Sequence, residues 1–239
     1  MNMSDPGINN AFKGFHIRTE ERSPTDELRI KIAEELRAVL DELLATSAPV
    51  EELERTRMII SQAVSLLKSR PHSHDYEGPA EGSLAPMNSF LDRSPIIGAI
   101  NPLSVPMQMD IEGDGGSEST VVGRATFPAA YEGPPGCVHG GFIAAYFYDV
   151  LGMAQSLSGN PGMTVNLTVD YRAPTPIKQP VVFRGRIVSI DGRKISVAGT
   201  LHQGETLCAE AKGLFVSMRP EVFSRLVEIR QAQQAKQAQ

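Results

Sequence analysis

One stretch of this chain restricts its possible folds more than any other. Phe142, Ile143, Ala144, Ala145, Tyr146, Phe147, Val150, Leu151 and Met153 crowd into a run with almost no polar face. Residues 142–157 have helical length, and a helix that is apolar nearly all round must be buried nearly all round. Its cover has to come from the sequence on either side. That sequence alternates in short segments bounded by turn residues, at 105–111, 119–127, 164–172, 181–190, 194–201 and 206–217. Such alternation marks strands. Asp191-Gly192 is a strong hairpin signal and Gln203-Gly204 a reasonable one. The expectation is an α+β fold: a curled antiparallel sheet of about six strands around one long buried helix, inserted after the second strand.

The first third of the chain has a different texture. Residues 1–22 mix glycine, asparagine and charge without period and read as a disordered leader. Ser23-Pro24-Thr25-Asp26 then makes a helix start, with Ser23 as cap, Pro24 at the first helical position and Asp26 near the positive end of the dipole. Leu28, Ile32, Leu36, Val39, Leu40 and Leu43 follow at helical spacing. Pro49 opens a second helix carrying Leu53, Ile60, Ala63, Val64 and Leu67. Together 23–70 reads as a helical hairpin whose stripes pack on something. Residues 71–86 are rich in proline, glycine and serine and read as a linker. His72, His74 and Asp75 lie within it and are read as solvated residues rather than metal ligands. The main domain is expected at 87–219, with a polar helix or tail at 220–239.

Bulk properties exclude some functions. The 239 residues are 41% apolar and 21% charged, with a net charge of −5. This balance argues against nucleic acid as a general partner, which demands a basic surface to displace phosphate counterions. Two cysteines, Cys137 and Cys208, do not make a disulfide framework. No apolar run suits a signal peptide, and none approaches the roughly 20 residues of a membrane span. A soluble, cytoplasmic protein is expected.

Gly133-Pro134-Pro135-Gly136-Cys137-Val138-His139-Gly140-Gly141 joins a strand to the N-terminus of the apolar helix. Free N–H groups gather there at the positive end of the dipole, where a developing oxyanion, a phosphate or a carboxylate is stabilised. The bland alternative is a tight turn with a hydrogen-bonded core histidine. Two features weigh against it. The helix carries one carboxylate, Asp149, costly to bury unless paired, protonated or used. Thr164, Asn166 and Thr168 fall on one side of the next strand's alternation. Oxyanion donors, a carboxylate base and a polar wall make an acyl-transfer constellation. A Cys137–His139 nucleophile pair is disfavoured, because residues two apart in a turn rarely bring thiol and imidazole together.

The segment from Gly136 to Ala144, followed by Asp149-Val150-Leu151-Gly152, resembles the PaaI-like branch of the hotdog-fold acyl-CoA thioesterases. Met163-Thr164-Val165-Asn166-Leu167-Thr168-Val169-Asp170-Tyr171-Arg172-Ala173-Pro174-Thr175-Pro176 looks like that family's third strand and its exit. The likeness covers roughly 90–218. It implies a hotdog domain that pairs into dimers or dimers of dimers, with active sites between subunits. It further implies that the Gly141 N–H polarises a thioester carbonyl while His139 orients the turn or contacts the thioester region. Asp149 would act as nucleophile or general base, with Thr164 holding the attacking group. Gly140, Tyr148, Asn166, Arg172 and Lys178 would contact the acyl-CoA, with Arg193 also near its phosphates. Coenzyme A enters only as part of the substrate, and no cofactor is expected. One departure matters. The carboxylate of this branch commonly falls nine residues after the motif histidine, where this chain has Tyr148. Asp149 serving from the next position, a shifted helix start, or a lost base all fit, and we take the first. A hotdog dehydratase and a non-catalytic acyl-CoA-binding scaffold are the alternatives.

Overall fold

The computed structural model describes residues 22–69, 91–160 and 162–217. The expected leader (but for Arg22), the linker with His72, His74 and Asp75, and the C-terminal tail lie outside them. Two compact units meet in sequence between Ser104 and Val105.

In the first unit α1 spans Pro24–Ala45 and begins as expected. The Asp26 N–H donates to Ser23 Oγ at 3.1 Å, Pro24 occupies the first position, and Asp26 and Glu27 stand at the positive end of the dipole. The Ser23 hydroxyl also donates to the Asp26 carboxylate and, as the leading cause, holds it below the ordinary carboxylate range. Arg37 donates to the Asn101 carbonyl at 3.0 Å, and Arg22 pairs with Asp92 at 3.0 Å. Pro49 caps α2, Val50–Lys68. The apolar stripes lie on the surface: Ala33 is the one buried residue of α1, and α2 has none. Among the described residues no helix is long and apolar enough to cross a membrane.

The second unit holds β1 (Gln108–Glu112), β2 (Thr120–Thr126), α3 (Gly140–Ser156), β3 (Gly162–Tyr171), β4 (Pro180–Asp191), β5 (Lys194–Gln203) and β6 (Thr206–Ser217). All neighbours are antiparallel, in the order β1-β2-β4-β5-β6-β3. Both hairpin glycines, Gly192 and Gly204, take the positive φ their turns need.

A transverse row of partners explains where α3 lies. Val121 pairs with Gly185, Gly185 with Gly199, Gly199 with Ala211 and Ala211 with Val169. Small residues at the middle of this row let the helix press into the sheet. A Cβ on Gly185 would stand 3.0 Å from Val150, and one on Gly199 would stand 2.5 Å from the Arg184 carbonyl and 3.0 Å from Leu151. Phe147, Val150 and Leu151 are completely buried there, each contributing about 1.5–3 kcal/mol. Tyr146 is also core. Its hydroxyl donates to the Val105 carbonyl at 2.7 Å and accepts from the Val105 N–H at 2.8 Å.

The helix is not buried all round. The sheet covers one side, and Gly141, Phe142 and Tyr148 remain exposed on the other. This is the curled sheet around a central helix that the hotdog resemblance implies, with one flank of the helix open.

A β-bulge in β3 overturns a second expectation. Thr164 pairs with Phe215 but Asn166 pairs with Leu214, so Val165 is skipped. Phe215 and Leu214 are consecutive and therefore point to opposite faces. Thr164 follows buried Phe215 to the helix side. Asn166 and Thr168 go to the outer face, where Thr168 Oγ1 donates to Asn166 Oδ1 at 3.2 Å. The polar wall is reduced to Thr164.

Candidate active site

The turn before α3 is held from two directions. The His139 N–H donates at 2.9 Å to the carbonyl of Tyr131, the last residue of the short 3-10 turn Ala129–Tyr131. From the loop after β3, the Thr175 carbonyl accepts the Val138 N–H at 2.8 Å. In return the Ile177 N–H reaches the Gly136 carbonyl at 3.1 Å, and the Lys178 N–H reaches Phe127 at 2.7 Å. The loop after β3, which carries the expected contacts Arg172 and Lys178, is therefore a strut of the turn. Lys178 takes a left-handed backbone there, with φ of 60°, unusual for a residue with a Cβ.

His139 is the N-cap of α3, and its Nδ1 accepts from the Gly141 N–H at 3.0 Å. That bond makes Nδ1 the acceptor nitrogen and leaves the ring proton to Nε2. The Phe142 N–H goes back to the His139 carbonyl at 3.0 Å. Gly140 N–H has no hydrogen-bond partner among the described residues. Of the first-turn donors the Gly140 N–H is thus open, while that of Gly141, the expected oxyanion donor, is held by the His139 imidazole. Tyr131 and Phe142 pack edge to face at 4.6 Å and make an aromatic wall beside the turn.

Sequence reasoning missed Tyr171. Its hydroxyl donates to the Gly140 carbonyl at 2.7 Å. Its ring covers Gly140 so closely that a Cβ there would stand 3.2 Å from Cζ. The signal was faint: a tyrosine ending an edge strand reads as an ordinary β residue.

The remaining expected residues are dispersed. Tyr148 follows Gly141 by seven residues, nearly two full turns, and so lies on the same flank; it is 49% exposed. Asp149 is half-buried and turned by about 100° from Tyr148. Asp149 comes eight positions after Gly141, about 12 Å along the axis. Thr164 is half-buried on the helix side of β3, and Asn166 lies on the far face. Arg172 donates to Glu210 at 2.8 Å and has Asp170 at 3.9 Å. The Arg193 carbonyl accepts the Ser217 N–H at 2.8 Å. In one chain, therefore, the structure brings together His139, Gly140 and Gly141, with Tyr171 added, but not the carboxylate. Phe142 and Met163 are exposed, whereas Tyr146 and Met153 are core.

A family model described as the thioesterase superfamily matches residues 135–210, the span from the turn through most of β6. The acyl-coenzyme A thioesterase THEM4 of Mus musculus is 38% identical over 92 residues, 38% of this chain and 40% of that protein. The THEM4 protein of Xenopus laevis is 36% identical over 96 residues, 39% of this chain and 43% of its own length. The match thus spans under half of these curated relatives. A crystal structure of a thioesterase superfamily protein superimposes with a TM-score of 0.69 at 31% identity, covering 79% of this chain and 94% of that one. With nearly the whole of that protein matched at this identity, and with the turn and the sheet in the places described, the chain belongs to the thioesterase superfamily.

Proposed function

We propose that this chain hydrolyses an acyl-CoA thioester, in an assembly of at least two copies. The observation that carries the reading is the exposed helix start at His139-Gly140-Gly141, with the Gly140 N–H open and the Gly141 N–H held only by a side chain. A thioester carbonyl oxygen accepts from Gly140 and displaces the His139 imidazole to accept from Gly141 as well. The donors strengthen their hold as charge develops on that oxygen. The names of the THEM4 relatives support the substrate class.

Asp149 takes a proton from water as the water oxygen bonds to the carbonyl carbon. The tetrahedral intermediate then collapses, the C–S bond breaks, and the thiolate of coenzyme A leaves and is protonated. Free acid and coenzyme A are the products, and water is the only co-reactant. Asp149 lies about 12 Å down the helix from Gly141, whereas base and carbonyl must approach within a few ångströms. The base therefore comes from a second copy facing the turn of the first, which is the reason for an assembly. The edge strand β3, with Met163 and Val165 exposed on it, supplies a place to pair. Thr164, on the helix side, holds the attacking water. Tyr148, in the place of the usual carboxylate, contacts the acyl group. Lys178 and Arg172 meet the phosphates, Arg172 by exchanging its bond to Glu210. Asn166, on the outer face, can serve only the nucleotide end.

The competing reading is a protein that binds acyl-CoA without cleaving it, favoured by Tyr148 in that position. Offering purified protein a panel of acyl-CoAs and following thiol release separates the two. Cleavage that falls on the order of a hundredfold in Asp149→Asn is expected. CoA esters that raise the melting temperature without being cleaved would instead establish the binding reading. An Asp149→Asn variant as active as the parent would remove Asp149 from the mechanism.

A further inference from the structure

Gly140 O and Gly141 N–H belong to one peptide unit, so a planar trans bond makes them point in opposite directions. The structure ties down both ends. His139 Nδ1 accepts from the N–H at 3.0 Å, and the Tyr171 hydroxyl donates to the carbonyl at 2.7 Å. The two ties differ in what happens when a thioester arrives. On the proposed reading its carbonyl takes the place of the imidazole, so the first tie breaks. The second remains.

Two consecutive glycines flank this unit, and glycine admits nearly all backbone angles. The helical ladder also draws on the Gly140 carbonyl, but at the first turn that ladder frays. A carbonyl has two lone pairs and can serve the ladder and Tyr171 together. The Tyr171 bond also polarises the amide: drawing electron density toward oxygen leaves the N–H a stronger donor, as in any hydrogen-bonded chain. The close fit of the ring over Gly140, 3.2 Å from where a Cβ would stand, restricts the same peptide sterically.

We propose that Tyr171 is a positioning residue for the oxyanion donors: through the Gly140 carbonyl it fixes and polarises the Gly140–Gly141 peptide whose N–H receives the thioester oxygen. This rests on the thioesterase reading above. It acts in the transition state more than in the ground state, because the oxygen carries full charge only there. Its loss therefore lowers kcat and leaves KM nearly unchanged.

Tyr171→Phe keeps the ring on Gly140 and removes the hydroxyl, and 54% exposure of Tyr171 makes misfolding a minor concern. The expected result is kcat lowered about fivefold to tenfold, as one lost hydrogen bond implies, with KM within about twofold. A second measurement needs no turnover. A ketone analogue of acyl-CoA, labelled with carbon-13 at the carbonyl, is bound to each protein and its C=O stretch read by infrared difference spectroscopy. The stretch should sit at lower frequency in the parent than in Tyr171→Phe, since a polarised donor weakens the C=O bond. Unchanged kcat with an unmoved stretch would overturn the inference. A change in KM alone would too, since it would make Tyr171 an ordinary binding contact. A parent that cleaves no CoA ester would defeat the thioesterase reading, while the carbonyl stretch would still decide whether Tyr171 polarises the donor.

Discussion

Helices α2 and α3 are similar in length and both carry a stripe of large apolar residues, yet they end in opposite situations. Phe147, Val150 and Leu151 of α3 are sealed against the Gly185–Gly199 row. On α2 Leu53, Ile60, Val64 and Leu67 are all exposed, and no residue of that helix is buried. Apolar periodicity predicts that a helix forms and which side is sticky. It says nothing of what will cover that side. For α3 the information lies elsewhere in the chain, in small residues placed opposite one another on three strands. For α2 the described residues contain no counterpart.

The sharpest way to break this comparison is to empty one position on each helix. Phe147→Ala should destabilise the sheet unit by about 3–5 kcal/mol, because the ring leaves a cavity that rigid strands cannot close. Chemical denaturation would measure it, and a loss below about 1 kcal/mol would mean that α3 does not sit as described. Ser23→Ala at the start of α1 should cost about 1 kcal/mol of helix stability through the lost cap. The same cap depresses the Asp26 carboxyl, chiefly by the Ser23 hydrogen bond. A depressed folded-state value means stability that is present above the ordinary carboxylate range and lost as pH falls through the lowered one. Helical circular dichroism below about pH 4 should therefore fall in the parent, and fall less steeply in Ser23→Ala. Identical acid profiles would rule out the coupling. The smallest effect belongs to α2, where Leu66→Ala should stay within about 0.5 kcal/mol. A concentration-dependent loss well beyond that would reveal that another surface covers this helix in solution.

These regions also differ in how far the sequence could be read. Every strand from β1 to β6 was legible to within a few residues, because alternation and hairpin turns such as Asp191-Gly192 are local signals. The start of α1 was legible for the same reason: Ser23 and Pro24 act on the next few residues alone. The site was legible only where it too was local. His139, Gly140 and Gly141 are consecutive, and they come together as expected. The placement of Asn166 failed because a single skipped residue, Val165, reverses the face of everything after it, and a bulge leaves no mark in the pattern of residue types. That the Gly140 N–H is open while the Gly141 N–H is held by an imidazole was not legible, because it depends on a side-chain rotamer, that of His139. Tyr171 was missed because its role depends on a contact 31 residues away in sequence.

The strand order has a consequence for how the protein can be made. Among the described residues β3 is the third strand to leave the ribosome, yet its ladder there is formed only with β6, the last. From the synthesis of Tyr171 until that of Thr206, β3 has no partner to join, and the turn that leans on Thr175 and Tyr171 has an unanchored support. The helix start therefore acquires its final shape only after the C-terminal strand has emerged. Long-range pairing of this kind slows folding and leaves an apolar edge open in the meantime. A chain cut anywhere before β6 loses two strands' worth of pairing rather than one, so partial products of this gene are poor competitors for the assembled state and good substrates for proteolysis.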